Sequence, residues 1–141
     1  MAASPSEVFL ALVNGVAEGR FDELPDLYAE QTDVSHPFDP LRAKPMRTRD
    51  ELREHFTLPD GTPWRRRTVE NVTIHQTTDP EVVVAEFEYH GTTDDGEPYA
   101  LPGIFVLRVR DGEIVSSRDY FPGLTHTTSA RVRSADPAQQ R

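Results

Sequence analysis

Between residues 67 and 121 the sequence alternates apolar and polar positions with a period of two, in runs at 67–76, 82–89, 99–110 and 113–121. The joins are Asp79-Pro80, Asp94-Asp95-Gly96 and Asp111-Gly112, short turn-forming stretches that suit antiparallel neighbours, whereas a parallel pair needs a crossover of a dozen residues or more. A meander of long antiparallel strands is predicted, and its apolar face requires a second layer to cover it.

That layer is written upstream. Ser4, Pro5 and Glu7 form a helix start, with Ser4 as cap, Pro5 at the first helical position and Glu7 completing a capping box. Val8, Phe9, Leu12, Val13 and Val16 follow at helical spacing, and Gly19 is placed to end the helix. Asp22 is positioned to cap a shorter helix carrying Leu24, Leu27 and Tyr28, with Pro25 in its first turn. Residues 32–37 read as extended, and Asp39, Pro40 and Pro45 mark 37–47 as a loop. Thr48 and Glu51 make a second capping box that opens a helix through Leu52, His55 and Phe56. Helices first and strands after define the class as α+β. We expect a single domain over 1–128, with 129–141, which lacks apolar periodicity, as a flexible tail.

Bulk properties narrow the partners. The 141 residues suffice to bury a core without staples, and the absence of cysteine removes disulfides, thiol nucleophiles and thiolate metal sites. Fifteen Lys and Arg against 24 Asp and Glu give a formal charge of -9, which repels phosphate backbones and anionic membranes at long range. The basic run Arg65, Arg66, Arg67 does not change that expectation, and Trp64 beside it reads as a pocket wall or a plug. No apolar run approaches the roughly 18 residues of a membrane span, and MAASPSE lacks a signal-peptide pattern, so a cytoplasmic protein is expected. His36, His55, His75, His90 and His126 show no metal-ligand spacing, and no glycine-rich phosphate loop occurs. Neither a metal nor a nucleotide cofactor is predicted.

The alternation also assigns faces. Val83, Ala85, Phe87 and Tyr89 form a wholly apolar parity and are expected inside, which turns Glu86 and Glu88 outward. In the next run Leu101, Gly103, Phe105, Leu107 and Val109 share one face, and Pro102-Gly103 suggests a bend that curves the sheet around a cavity. In the last run Val115, Ser117, Asp119 and Phe121 share a parity, with Ile114, Ser116, Arg118 and Tyr120 opposite. If the first set faces the concavity, Asp119 is a carboxylate among apolar groups, and desolvation raises its pKa toward the range useful for proton transfer. The alternative is an aspartate paired with an arginine at the sheet edge.

The order of these elements, with the stretches AEQTDVSHP, TRDELREHF and DGEIVSSRDYF, resembles the nuclear transport factor 2-like superfamily. Within it, the chain is most similar to the SnoaL-like polyketide cyclase and ketosteroid isomerase branch, to which limonene epoxide hydrolase is also related. The resemblance covers about residues 6–125 and implies a cone-shaped α+β barrel, with N-terminal helices packed on a strongly curved, mostly antiparallel sheet. By position, Asp119 matches the aspartate that such cyclases use as acid/base. His36 falls where ketosteroid isomerases place their general-base aspartate, and an imidazole there could shuttle a proton or simply pack at the pocket mouth. Leu12 and Phe105 stand at the approximate positions of the oxyanion-hole tyrosine and protonated aspartate of ketosteroid isomerase, which argues against that mechanism. Glu86 and Glu88 stand at the approximate positions of the arginine and aspartate that complete the epoxide hydrolase triad, and no arginine is available there.

The resulting expectation is a cofactor-independent enzyme that binds a small, largely apolar molecule and catalyses acid/base proton transfer in a cyclisation or isomerisation. Asp119 and His36 are the catalytic candidates, and Tyr28, Trp64, Val83, Ala85, Phe87, Tyr99, Phe105, Leu107 and Phe121 the walls. One alternative is an epoxide hydrolase or hydratase in which the same Asp activates water. Another is a non-catalytic binding or assembly module filled by its own aromatics. The resemblance further implies a homodimer through an outer sheet face carrying Val82, Val84, Ile114 and Tyr120.

Overall fold

The structure, a computed structural model, describes residues 2–40, 44–61 and 64–122. Helix α1 spans Pro5–Glu18 and begins as its sequence requires: the Ser4 hydroxyl accepts the Glu7 N–H, and the Glu7 carboxylate accepts the Ser4 N–H at 2.8 Å. Gly19 closes it in the left-handed conformation, φ 77°. A Cβ at Gly19 would also lie 2.9 Å from the Trp64 ring, so this glycine serves the turn and the packing together.

The next segment departs from expectation. Phe21–Leu27 is a 3₁₀ helix with Arg20, not Asp22, at its N-cap and no capping side chain. Pro25 is the physical reason, because it has no N–H to donate to the carbonyl four residues back. The tighter i to i+3 pattern accommodates it, as in the Tyr28 N–H donating to the Pro25 carbonyl at 3.1 Å.

Six strands follow: β1 Gln31–Ser35, β2 Met46–Thr48, then, after helix α2 (Arg49–Phe56), β3 Thr68–Gln76, β4 Val82–Thr92, β5 Pro98–Arg110 and β6 Glu113–Tyr120. Their order is β2-β1-β6-β5-β4-β3. The meander β3 to β6 is the one the alternation predicts. Added to it are β1, parallel to β6, and β2, antiparallel to β1. Strand β2 overlaps the end of the segment read as a loop and takes in the Thr48 cap; at three residues it is too short to show a period. The fold is α+β, three helices on a curved six-stranded sheet.

One register shift changes the face assignment. Arg108 pairs with Ser116 but Val109 pairs with Ile114, so Val115 is an extra residue bulged out of β6. Ile114 therefore turns inward and is fully buried, while Val115 is only half-buried, the reverse of simple parity. Ile114 is thus unavailable to any outer-face interface.

The core lies between α1 and the concave side of the sheet. Phe9 meets Phe87 and Phe105 edge-on, with ring centres 5.5 and 6.0 Å apart, and Val83, Ala85 and Leu107 are wholly enclosed. Glu86 and Glu88 lie on the outer face, where they pair with His75 and His90, each at 2.6 Å. The boundary at residue 128 and the tail 129–141 lie outside the described residues. Among the described residues no helix is long and apolar enough to cross a membrane.

Candidate active site

The parallel pairing of β1 with β6 builds the site. Val34 is level with Ser117 and Ser35 with Arg118; continuing that register by one residue sets His36 beside Asp119 on the inward face. The His36 Nε2 is 3.6 Å from the Asp119 Oδ2. The other carboxylate oxygen accepts a short hydrogen bond from the Ser117 hydroxyl, two residues back on the same face. Asp119 is only 7% exposed, whereas the His36 side chain is 33% exposed, so the pair runs from the interior to the surface.

Electrostatics follow from that placement. Burial pushes the Asp119 carboxyl above the ordinary carboxylate range, while the nearby His36 charge and the Ser117 hydrogen bond pull the other way. The balance is a raised pKa, the direction that favours a proton-exchanging carboxyl group. The edge-arginine alternative is not what the structure shows: Arg118 belongs to the opposite face, and the polar side chains described around Asp119 are Ser117, His36 and Tyr28.

Tyr28 completes the polar set. Its backbone is fixed on β6 by a parallel bridge to Ile114 and by Arg49, whose Nε donates to the Tyr28 carbonyl at 2.9 Å while its guanidinium pairs with Glu113 at 3.0 Å. The Tyr28 phenol is held well above its usual pKa, first by burial and then by the negative charge of Asp119 and by Tyr89. It remains a neutral hydrogen-bond donor over the physiological range, facing the same charge that Asp119 carries.

His55 is the residue that the sequence reading placed only on a helix. The Thr48–Glu51 capping box sets the start of α2, and its last turn brings the His55 ring 6.2 Å from His36 and 4.9 Å from Phe56. No local signal marks it, because the two histidines are 19 residues apart and meet only when β1 and α2 pack at one end of the sheet. Ser117 does have a signal, the i, i+2 spacing to Asp119 on an inward parity. Among the described residues no group of three or more His, Asp or Glu side chains is arranged to hold a metal ion.

The expected walls divide. Phe105 is the direct cross-strand partner of Asp119, and Phe121 lies one inward step beyond it. Phe87 packs on both, with ring centres at 5.0 and 6.2 Å. Trp64 reaches this end of the molecule through Phe21, 5.8 Å away, and Phe21 stacks on Phe56. Val83, Ala85 and Leu107 are core residues beneath α1. Tyr99 is not brought to the site: it precedes Phe105 by six residues, roughly 20 Å along the strand, and its hydroxyl packs beside Gly91 and the stem of Arg67. Arg67 itself is buried, with its guanidinium 4.0 Å over the Tyr89 ring.

Comparison with known proteins agrees with this architecture. The profile of the SnoaL-like domain family matches residues 9–117. The chain belongs to the SnoaL-like domain family. It is similar to a Bacillus subtilis protein that carries the provisional name of an isomerase, at 22% identity over 96% of this chain and 94% of that one, TM-score 0.74. It is also similar to a Pseudomonas putida protein provisionally named a polyketide cyclase, at 17% identity over 86% and 93%, TM-score 0.63. A third similar structure is a Mycobacterium tuberculosis protein solved in complex with estradiol-17β-hemisuccinate, at 17% identity over 85% and 95%, TM-score 0.63. At these identities the likeness establishes the fold. No curated protein matches the chain.

Proposed function

We propose that this chain is a cofactor-independent enzyme that binds a small, largely apolar molecule and moves a proton with Asp119 as general base and then general acid. The observation that carries the reading is the enclosed Asp119 carboxyl, held between Ser117 and His36 with its pKa raised by burial. In the first step Asp119 accepts the proton from a carbon next to a substrate carbonyl, and the electron pair moves onto the carbonyl oxygen as an enolate. Tyr28, kept neutral by burial, supplies the donor such an oxygen requires. Asp119 then returns the proton at another atom, which gives isomerisation, or the enolate carbon adds to a second carbonyl carbon of the same substrate, whose π electron pair becomes an alkoxide that takes the proton back from Asp119, which gives cyclisation. His36, one-third exposed, orients the carboxylate and connects it to solvent.

The reading brings other proposals with it. A second copy of the chain would cover the outer sheet face, where Ile104 is 41% exposed and Phe38 packs on Tyr120 with ring centres 5.0 Å apart. The charge of -9 supports a small molecule, rather than nucleic acid or an anionic membrane, as the partner, and a cytoplasmic location remains part of the proposal.

The test is deuterium exchange at the α-carbon of simple enolisable ketones, followed by proton NMR. Wild-type protein should accelerate exchange, and Asp119→Asn should abolish the acceleration. Hydrolysis of an epoxide with incorporation of labelled water oxygen, without α-exchange, would move the assignment to water activation by the same Asp. Ligand binding with neither reaction would leave a binding module.

A further inference from the structure

The inward face of the sheet carries an aromatic ring seated directly on a glycine. Strand β6 ends at Tyr120, level with Ile104 of β5, so the next residue, Phe121, comes level with Gly103. Its ring lies over that glycine: a Cβ on Gly103 would stand 2.8 Å from one Phe121 ring carbon and 3.1 Å from another. Gly103 has none of the left-handed backbone that Gly19, Gly96 and Gly112 adopt, so conformational freedom does not explain a glycine there. Accommodating the Phe121 ring does, together with the Phe87 ring at 3.2 Å.

The same ring packs on three further aromatics. Phe121 lies 5.7 Å from Phe105, 6.2 Å from Phe87 and 6.4 Å from Tyr89 between ring centres, edge-on to the first two and stacked on the third. These are contact distances for aromatic pairs, with no layer left between the rings for another molecule. Phe87 and Phe105 in turn hold Phe9 of α1, so the inner part of the barrel is filled from the sheet to the helix. A ligand bound beside Asp119 would therefore lie toward His36, His55, Tyr28 and Phe56.

We propose that Phe121, half-buried and seated on Gly103, is the specificity-determining residue of this site: it covers the filled Phe9, Phe87 and Phe105 core beyond Asp119 and restricts the ligand to a compact molecule of about one ring. This rests on the proposed site being where the ligand binds. It sets the chain apart from the similar M. tuberculosis protein, which was solved with a multi-ring steroid derivative. The restriction is mechanical. It is relieved by shortening the Phe121 side chain, and a Cβ on Gly103 then meets only the Phe87 ring, at 3.2 Å.

The experiment measures binding of a graded series, phenol, 2-naphthol and estradiol, by the shift of the Asp119 side-chain carboxyl carbon and by thermal stabilisation. The proteins are wild type, Phe121→Ala, Phe121→Leu, Gly103→Ala and the Gly103→Ala/Phe121→Ala double variant. In wild type the tightest binder should be phenol, and in Phe121→Ala, or in Phe121→Leu if the alanine variant does not fold, 2-naphthol should bind at least tenfold tighter than in wild type. Gly103→Ala should lower the melting temperature in the wild-type background and lower it clearly less in the Phe121→Ala background, where only the Phe87 ring remains close. An unchanged ligand-size limit in the Phe121 variants, including no binding by any of the proteins, overturns the proposal, as does an equal Gly103→Ala penalty in both backgrounds. Probes that stabilise the protein without moving the Asp119 signal count against the site itself. Loss of α-exchange in Asp119→Asn beside an unchanged size limit retires only the role of Phe121.

Discussion

The His36 imidazole stands 3.6 Å from the Asp119 carboxylate because β1 runs parallel to β6 with Val34 level with Ser117. Neither residue could reach the other if β1 were a plain loop leading into α2. A strand with only two paired positions on β6 thus sets the polar geometry of the candidate site, and it joins a partly exposed imidazole to an enclosed carboxyl group.

Replacing Asp119 by Asn should separate stability from activity. Because burial raises the Asp119 pKa, the folded chain holds a proton that the unfolded chain has already released, so this group's contribution is fully present below the unfolded value of about 3.9 and is lost as pH rises through the folded value. Asn removes the cost of burying a charge. We expect Asp119→Asn to be more stable at pH 7 by about 1 kcal/mol and to lose proton-transfer activity by about 100-fold or more. Thermal melts between pH 3 and 8 check the first part; a variant less stable than wild type across that range would show the carboxylate to be structural.

His36→Ala should raise the Asp119 pKa further, since the His36 charge pulls it down. Carbon-detected NMR titration reads this directly. An Asp119 midpoint that stays put, or falls, would mean the two groups do not share an environment.

The bulge at Val115 makes a contrast between neighbours. Ile114→Ala removes a fully buried side chain and should cost about 3 kcal/mol, whereas Val115→Ala, at a half-buried position, should cost less than about 1 kcal/mol. Denaturant melts of the two variants decide between this register and simple alternation, which predicts the opposite order.

Thr48→Ala deletes the cap that starts α2, in which the Thr48 hydroxyl accepts the Glu51 N–H at 3.1 Å. A loss of about 1 kcal/mol is expected. Because α2 carries His55 and Phe56 to the site, the same variant should shift the His36 ring signals in NMR, an effect that Ser4→Ala, which uncaps α1 at the other end, should not produce.

At the turn between β3 and β4, Glu81 accepts hydrogen bonds from Arg108 at 2.9 Å and Arg110 at 2.9 and 3.0 Å, and these lower its pKa to about 2. The sign is opposite to that of Asp119: the contribution is present above the usual glutamate range and disappears as pH falls toward 2. Glu81→Gln should therefore melt slightly below wild type at pH 7, and the difference should vanish by pH 2. A difference that persists at pH 2 would assign the effect to packing.

Local sequence determined much of this protein. Both capping boxes, the Gly19 stop, the meander and the inward set Val83, Ala85, Phe87 and Tyr89 follow from interactions between residues a few positions apart, and these survive any tertiary context that keeps one face dry. The inward position of Asp119 was legible for the same reason. Tertiary structure alone decided the rest. The bulge that exchanges Ile114 for Val115 arises from pairing with β5, strand β2 exists only because β1 is there to bond it, and the 3₁₀ form of 21–27 reflects one missing N–H at Pro25. The meeting of His36 with His55 and the seating of Phe121 on Gly103 join residues 18 or more positions apart, and their distances are set by how strands and helices pack rather than by any periodicity along the chain.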